Sequence, residues 1–313
     1  MRIDAQRMNW LAKVVAYKLL SVLPGGAAIY RCSQENLTQS LVPTKDRLKE
    51  KIDIGLEYWD WLTQHGLGTR LIDGVHLDFG SGWHPTIPLL YYCLGAKRQL
   101  MLDVAPLLTG RMLERTIEVF LAIAGDDGWS NQAKPCRLPP PLENGDWRDY
   151  LARLGMSYHA PYAEVIPSLA GSVDVATATQ VLPYVRKDVA PWCLSQIYGS
   201  LKSGGVLLAT IHLRDNLAGL SHTGLAKYHH LRYSPETWER RINSSLMSFN
   251  RFKAPDYRKL LEGAGFEIQH FEIEPGTDKE IEELNRVRID ACFQRYTREE
   301  LAARHLFFVA RKP

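Results

Sequence analysis

The chain has 313 residues, enough for one large α/β domain with additions or for two domains of about 150 residues each. Hydrophobic residues make up 45% and charged residues 23%, which is typical of a soluble globular protein. The formal net charge of +3 is small and no run of five basic residues occurs, so we expect no nucleic-acid partner. The five cysteines are widely spaced without a C-x-x-C pair, which disfavours a zinc site or disulfide framework and favours a reducing cytoplasm.

The first apolar segment runs from Trp10 to Leu23 and is interrupted by Lys13 and Lys18. It is shorter than the roughly 20 apolar residues that a membrane span requires. We expect a helix that packs on the body of the protein. The alternative is a basic amphipathic helix on a membrane surface, which makes residues 10–23 a possible peripheral membrane contact.

Residues 1–70 are predicted to form a helical N-terminal lid or extension, in which residues 46–66 are the best amphipathic stretch. Tyr30, Gln34 and Thr38 would share one helical face. That face is either a contact for a ligand beneath the lid or a solvated polar stripe.

From about Val75 the sequence alternates short apolar runs with helical stretches, a rhythm typical of parallel βαβ units. The predicted strands are Val75–Phe79, Gln99–Asp103, Met156–His159, Val173–Thr177, Val206–Leu213, Phe266–Ile273 and His305–Ala310. The predicted helices between them are Pro88–Leu94, Leu107–Ala124, Asp188–Leu201 and Pro255–Gly263. The paired glycines at 204 and 205 are predicted to stop a helix before the fifth strand. Residues 214–254 fall outside the rhythm and are predicted to form a cap insertion in a domain spanning 71–313.

The stretch LDFGSGWHP predicts a nucleotide-binding turn. Asp78 ends a strand, Gly80 and Gly82 allow close approach of a ligand to the backbone, and the following helix offers free N–H groups. The next strand ends at Asp103, where a carboxylate can accept hydrogen bonds from both ribose hydroxyls. A dinucleotide fingerprint needs a third glycine at position 85, which is proline here, so NAD and FAD are disfavoured. An adenosine that carries a sulfonium amino acid needs no such glycine.

Five motifs follow one another in the order seen in class I S-adenosylmethionine-dependent methyltransferases, and the chain resembles that family from about residue 72 to residue 312. The motifs are LDFGSG, the acidic strand end at Asp103, VDVATATQVLPYV, LKSGGVLLATI and DYRKLLEGAGFEI. More narrowly, GSGWHPTIPLLYYCLGA, LRYSPETW and NSSLMSFNR are similar to a bacterial branch associated with surface-polysaccharide or secondary-metabolite biosynthesis.

The resemblance implies a doubly wound, Rossmann-like α/β fold with a seven-stranded, mostly parallel sheet whose last strand is antiparallel. It implies S-adenosylmethionine as the cofactor and in-line attack on the sulfonium methyl. Carried over by position, the cofactor-binding residues are Asp78, Gly80, Ser81, Gly82, Asp103, Gln180 and Val181.

Two positions depart from the family pattern. Relatives often carry an acid after the third strand that contacts the adenine, whereas this sequence has Ala163 with Glu164 one residue away. After the fourth strand, relatives often have L-E-H, and this sequence has Leu182-Pro183-Tyr184. No role that depends on that Glu or His can be assigned.

Methyl transfer to oxygen or nitrogen usually needs a base for the acceptor's proton. The end of the fifth strand and the cap supply the candidates, and we predict the base among His212, Asp215, His229 and His230. Each histidine could instead be a structural core residue. Substrate-binding candidates are His84 at the entrance of the helix after the glycine turn, together with Arg214, Arg232 and Arg251, each of which could also be structural. A metal site is disfavoured, because the position after the fourth strand holds no acid.

These observations predict a methyltransferase that methylates a hydroxyl of a small-molecule or glycan acceptor, with a histidine as general base. Two alternatives stay open at the level of the sequence. The first is N-methylation, and the second is a methyltransferase-fold protein that acts as a cyclase or binding protein without methyl transfer.

Overall fold

The computed structural model describes residues 10–34, 41–125, 133–142, 145–214 and 227–313. Its centre is one seven-stranded sheet in the order β3-β2-β1-β4-β5-β7-β6. The strands are β1 (Val75–Phe79), β2 (Arg98–Leu102), β3 (Met156–His159), β4 (Val173–Thr179), β5 (Leu201–His212), β6 (Glu267–Glu274) and β7 (His305–Arg311).

The α-helices of the described residues lie before and between these strands. They are α1 (Trp10–Val22), α2 (Gly26–Cys32), α3 (Lys45–Gln64), α4 (Gly68–Asp73), α5 (Thr86–Cys93), α6 (Gly110–Gly125), α7 (Trp147–Arg153), α8 (Ala190–Ser200), α9 (Pro235–Arg241), α10 (Ala254–Gly263), α11 (Asp278–Asn285) and α12 (Arg298–Ala302). None of the helices in the described ranges is long and apolar enough to cross a bilayer.

The strand pairings confirm the predicted fold class. Strands β1 to β5 pair with their neighbours in parallel, whereas β7 pairs antiparallel with both β5 and β6. Apolar side chains bury both faces of the sheet in separate clusters, one beneath α3, α5, α6 and α7 and the other beneath α8 and α10. The fold is therefore a doubly wound α/β sheet with an antiparallel last strand.

One local prediction is wrong. The glycines at 204 and 205 were expected to end a helix, but α8 ends at Ser200 and both glycines lie within β5. Gly204 has a φ of +74°, and the register between β4 and β5 jumps from Val173↔Leu201 to Val175↔Val206. The glycines accommodate this bulge, since a left-handed residue is tolerated there without a side chain.

The order of the strands places a crevice beside β1. The chain passes from β1 to β2 on one side and later adds β4 on the other side of β1. In open α/β sheets, ligands bind outside the carboxyl ends of the strands at such a switch point. Asp78 and the glycine turn at the end of β1, and Gln180 at the end of β4, therefore lie where a ligand is expected.

Helix α3 covers one face of the sheet and begins near that crevice. Its apolar side fills the core with Leu48, Ile52 and Leu62. A Cβ on Gly55 would come within 2.5 Å of a methyl carbon of Leu90 in α5, so the two helices approach closely there. The fully buried hydroxyl of Tyr58 donates to Thr210 Oγ1 at 2.9 Å, which fixes α3 on β5.

We expect the Tyr58–Thr210 contact to stabilise the seating of α3. Tyr58→Phe leaves the Thr210 hydroxyl without this partner and should lower the free energy of unfolding by about 1–2 kcal/mol. In the double variant Tyr58→Phe/Thr210→Val both polar partners are gone, so part of that loss should return. Urea denaturation of the four proteins of this cycle measures the coupling, and strictly additive effects would contradict it.

Candidate functional site

The turn after β1 is joined to the end of β2 by backbone hydrogen bonds. Gly80 N–H donates to Leu102 O at 2.8 Å, and Gly82 N–H donates to Asp103 Oδ2 at 2.8 Å. The other oxygen of Asp103 accepts from Val104 N–H at 2.7 Å. Burial raises the pKa of the Asp103 carboxyl, and the N–H groups of Gly82 and Val104 oppose that rise. The carboxylate is thus fixed in one orientation at the mouth of the crevice.

The two glycines of this turn meet different surroundings. Both have left-handed backbone conformations, with φ of +79° at Gly80 and +67° at Gly82. A Cβ on Gly80 would come within 2.2 Å of Val181 Cγ2, so this turn packs directly against the residue that follows β4. A Cβ on Gly82 would meet only Gly80 O, at 4.0 Å. Gly82 therefore faces open space.

Asp78, the last acidic residue of β1, is buried and belongs to a polar chain across the sheet. Thr177 on β4 donates to Asp78 Oδ1 at 2.9 Å. His76 lies between the two neighbouring strands, with Nε2 2.9 Å from Thr177 Oγ1 and Nδ1 3.0 Å from Gln99 Oε1. Ser81 Oγ donates to the backbone oxygen of Asp78 at 3.2 Å, which braces the turn.

The ends of β4 and β5 bring Gln180 and His212 to the same carboxylate. Gln180 has a φ of +57°, an unusual conformation for a residue other than glycine, and its N–H donates to Thr210 O at 2.8 Å. Its side-chain amide donates to Glu50 Oε1 at 3.1 Å. His212 Nε2 lies 3.9 Å from the same oxygen, so Glu50 of α3 spans the two strand ends.

His212 is held in its neutral form at physiological pH. Burial and neighbouring His305, whose ring centroid is 4.5 Å away, lower its pKa to about 4, although Glu50 opposes both. A neutral imidazole retains a nitrogen that can accept a proton. His212 is thus the predicted base that lies at the strand ends, and its catalytic role stays a prediction.

Helix α3 also brings Lys51 to the crevice, a residue that the sequence patterns did not single out. Burial lowers the pKa of Lys51, and the carboxylates of Asp78, Glu50 and Asp103 oppose that fall. The Lys51 ammonium group therefore lies within electrostatic range of the carboxylates of Asp78, Glu50 and Asp103. The sequence did not predict this position of Lys51, because the polar face of an amphipathic helix is ordinarily exposed to solvent.

His84 lies between this helix and α6. The Thr116 hydroxyl donates to Met112 O at 2.7 Å, so His84 Nδ1, 2.9 Å away, donates to Thr116 Oγ1. Burial and the charge of Lys51 lower the pKa of His84 to about 4, and a backbone hydrogen bond with Leu41 opposes that fall. The contacts with Thr116 and Leu41 hold the ring near the entrance of α5, where a ligand contact was predicted.

The histidines of the cap lie inside it. His229 is buried, with Nε2 2.8 Å from the Tyr233 hydroxyl and its ring 4.7 Å from that of Trp10. His230 is fully buried, and its Nε2 lies 3.3 Å from the ammonium of Lys253. These contacts favour the structural interpretation of the pair.

The predicted substrate-binding arginines are dispersed. Arg251 is 2% exposed and donates to the backbone oxygens of His230 and Tyr233, with its guanidinium over the ring of Trp238. Arg214 donates to Glu280, whose carboxylate also accepts from Lys227. Arg232 is exposed and lines a surface groove with Arg288. The structural interpretation is favoured for Arg251, since its guanidinium serves the cap itself.

The ion pairs of Glu280 lower the pKa of its carboxyl group. Burial by itself would raise the pKa of this carboxyl, but the Thr277 N–H and the cations Lys227 and Arg214 hold it at about 2. Arg214 is therefore bound to a permanent anion at physiological pH.

Several other predicted positions lie outside the described residues or in aromatic packing. Asp215 lies outside the described residues, as do Thr38 and His222. Tyr30 packs edge-on against Tyr17, with ring centroids 5.4 Å apart. Among the described residues, no three His, Cys, Asp or Glu side chains are grouped to hold a metal ion.

The departure from L-E-H has a structural counterpart. Leu182–Tyr184 forms a short 3-10 helix after β4. Asn250 holds it by donating its side-chain amide to the oxygens of Leu182 and Val185, at 2.7 and 2.9 Å. Asn250, in the NSSLMSFNR segment, thus holds the turn that follows β4 in place.

No protein-family model and no curated protein sequence matches the chain. Solved structures that resemble it include the 4+2 cyclase SpnF, at 16% identity over 85% of this chain and 81% of that one, with a TM-score of 0.42. An S-adenosylmethionine-dependent methyltransferase from Methanosarcina mazei has 16% identity, coverage of 77% and 93%, and a TM-score of 0.41. The 1,6-didemethyltoxoflavin-N1-methyltransferase of Burkholderia thailandensis, solved with S-adenosylhomocysteine, has 15% identity, coverage of 76% and 70%, and a TM-score of 0.39. At these values the likeness concerns the fold alone, and no functional argument is taken from it.

The different surroundings of the two turn glycines predict different costs of substitution. Gly82→Ala carries only the strain of a left-handed alanine, about 1–2 kcal/mol. Gly80→Ala carries the same strain and a collision with Val181, so its free energy of unfolding should fall by roughly 1–3 kcal/mol more. Thermal or urea unfolding of both variants gives the difference, and Gly80→Ala/Val181→Ala should recover part of it. Equal losses in the two single variants would contradict the close packing.

Proposed function

We propose that this protein is an S-adenosylmethionine-dependent methyltransferase that transfers a methyl group to a hydroxyl of a small-molecule or glycan acceptor. The observation that carries the proposal is the bond from Gly82 N–H to Asp103 at the switch point of the sheet. It couples an open glycine turn to a fixed carboxylate one strand away, which is the arrangement that a nucleoside needs.

The polar groups of the crevice fit such a cofactor. A carboxylate offers about four lone-pair sites, so Asp103 can accept the ribose hydroxyls in addition to its two backbone N–H groups. Lys51 supplies a cation for the carboxylate of the cofactor's amino-acid end. Gln180 and Val181 follow β4 and would flank the sulfonium. A dinucleotide fingerprint would have its third glycine at position 85, just before α5. Pro85 stands there, and a single nucleoside does not require that glycine.

S-adenosylmethionine, when bound, supplies a methyl group on a positively charged sulfur. The chain's own contribution is to orient the acceptor and remove its proton. His212 Nε2 takes the acceptor's hydroxyl proton, since burial and His305 keep the ring neutral. Glu50, 3.9 Å from that nitrogen, then stabilises the imidazolium that forms. A base with a low pKa is weaker, and the nearby carboxylate offsets part of that weakness as the proton arrives.

Cofactor binding tests the first part of the proposal. Isothermal titration calorimetry should show binding of S-adenosylmethionine and S-adenosylhomocysteine, and no binding of NAD or FAD. Asp103→Ala should weaken binding by about 1.5–3 kcal/mol for each hydrogen bond lost. A protein that binds neither sulfur nucleoside would overturn the proposal.

Lys51 has a matched control on its own helix. Lys51→Met should weaken S-adenosylhomocysteine binding about tenfold or more, because a charge-assisted contact to the ligand carboxylate is lost. It should leave the affinity for methylthioadenosine, which lacks that carboxylate, unchanged. Lys49→Met removes an exposed lysine that pairs with Asp53 and should change neither affinity. Equal losses for both ligands would instead assign Lys51 to maintaining the charge balance of the crevice.

Catalysis is tested with a panel of phenols, sugars and amines, by measuring S-adenosylhomocysteine release and identifying methylated products by mass spectrometry. His212→Asn should lower kcat by roughly 10²–10⁴ without changing cofactor affinity, as expected for loss of a general base. The substitution His65→Asn, at an exposed histidine, is the control.

The pH dependence of kcat is a separate test of His212. The kcat of the wild type should stay level down to about pH 5 and fall as the pH passes below about 4, where His212 becomes protonated.

The products distinguish the alternatives. Methylated amines alone would favour N-methylation, and turnover without a methylated product would favour the cyclase alternative.

A further inference from the structure

Helix α1 has two apolar faces, and one of them packs on the cap. Val14 is buried and, with Trp10, contacts a cluster formed by Trp238, Ile242 and Phe249. The Lys18 ammonium donates to Arg240 O at 2.7 Å, at the end of α9. These contacts fix which face of α1 is turned towards the protein.

The opposite face of α1 exposes aliphatic side chains to solvent. Val15, Leu19, Val22 and Leu23 are 54%, 58%, 77% and 52% exposed. Their spacing of i, i+4, i+7 and i+8 places them on one side of a helix. Ile29 of α2, 54% exposed, extends the apolar area beyond the turn. We name these five residues the outer stripe.

The segment that carries the outer stripe is basic. Between residues 10 and 34 the charged residues are Lys13, Lys18 and Arg31, and there is no aspartate or glutamate. Apolar side chains on one face with lysines beside them, and no acid, are the features of a helix that lies in the interface of an anionic bilayer.

We propose that the outer stripe binds the protein reversibly to the surface of an anionic lipid bilayer. Val15, Leu19, Val22, Leu23 and Ile29 enter the headgroup boundary, and the positive charge of the segment, chiefly that of Lys13, attracts the lipid phosphates. Since no helix of the described residues can span a bilayer, the contact is peripheral. It goes beyond the methyl-transfer proposal and does not depend on it.

A second copy of the chain is a poorer occupant for two reasons. Five half-exposed aliphatic side chains offer on the order of 500 Å² of apolar area, whereas a stable dimer buries about 800 Å² per partner. Two-fold pairing of α1 would also bring like-charged lysines together with no acid in the helix to compensate them. A bilayer with anionic headgroups meets both the apolar area and the positive charge.

The test is co-sedimentation of the full chain with vesicles of phosphatidylcholine, with and without phosphatidylserine. The wild type should bind the vesicles that contain phosphatidylserine and bind pure phosphatidylcholine vesicles much less. Leu19→Gln/Val22→Gln should lower the partition coefficient about tenfold or more, since the apolar anchor is removed. Lys13→Gln should lower it roughly fivefold on anionic vesicles only.

The matched control is Leu138→Gln, which makes the same substitution at a leucine that is 47% exposed and lies far along the chain from α1. It should bind as the wild type does, and thermal unfolding checks that every variant is folded. If the double variant is unfolded, Lys13→Gln decides the question alone. Absence of binding, equal binding to both vesicle types, or wild-type binding by the folded double variant overturns the proposal. A wild-type dimer that the double variant abolishes, seen by analytical ultracentrifugation without lipid, also overturns it and assigns the outer stripe to self-association.

Discussion

The hydrogen bond from Gly82 N–H to Asp103 is the interaction on which the site depends. It ties the turn after β1 to the end of β2 and uses the left-handed backbone of a glycine to do so. The same turn is packed against Val181 through Gly80, so three strand ends are fixed with respect to one another. Preorganisation of this kind keeps a buried carboxylate in position at little cost when a ligand arrives, because its N–H partners are already in place.

The sheet alone would leave the carboxylates at its strand ends open to water, and α3 is the element that covers them. The helix is seated through Tyr58 on β5 and through Gly55 on α5. That seating carries Glu50 to Gln180 and His212, and Lys51 to Asp78 and Asp103. Helix α3 therefore contributes charge to the crevice as well as apolar cover.

Much of the fold was predictable because strand and helix periods are local properties of the sequence. The strands of residues 75–79 and 156–159 were predicted with the observed bounds, and the glycine turn with its acidic strand ends was predicted from spacing alone. The contribution of Lys51 was not predicted from the sequence. It depends on which face of α3 meets the strand ends, and long-range packing determines that face. The bulge at Gly204 was missed for a related reason: paired glycines before an apolar run fit a helix stop and a strand bulge equally well.

The cap shows why residue type is a weaker guide than surroundings. Its histidines and Arg251 suggested proton transfer and anion binding, yet Arg251 is enclosed by backbone oxygens and the Trp238 ring, and His230 faces Lys253. The Lys253 ammonium lies 3.3 Å from His230 Nε2, so this nitrogen accepts a hydrogen bond inside the cap. At the crevice, burial and the charge of Lys51 lower the pKa of His84. At His212, burial and His305 lower the pKa to about 4, and the carboxylate of Glu50 opposes them. What distinguishes His212 is its place, because it lies at the strand ends with Glu50 and Gln180, whereas the cap histidines are enclosed within the cap.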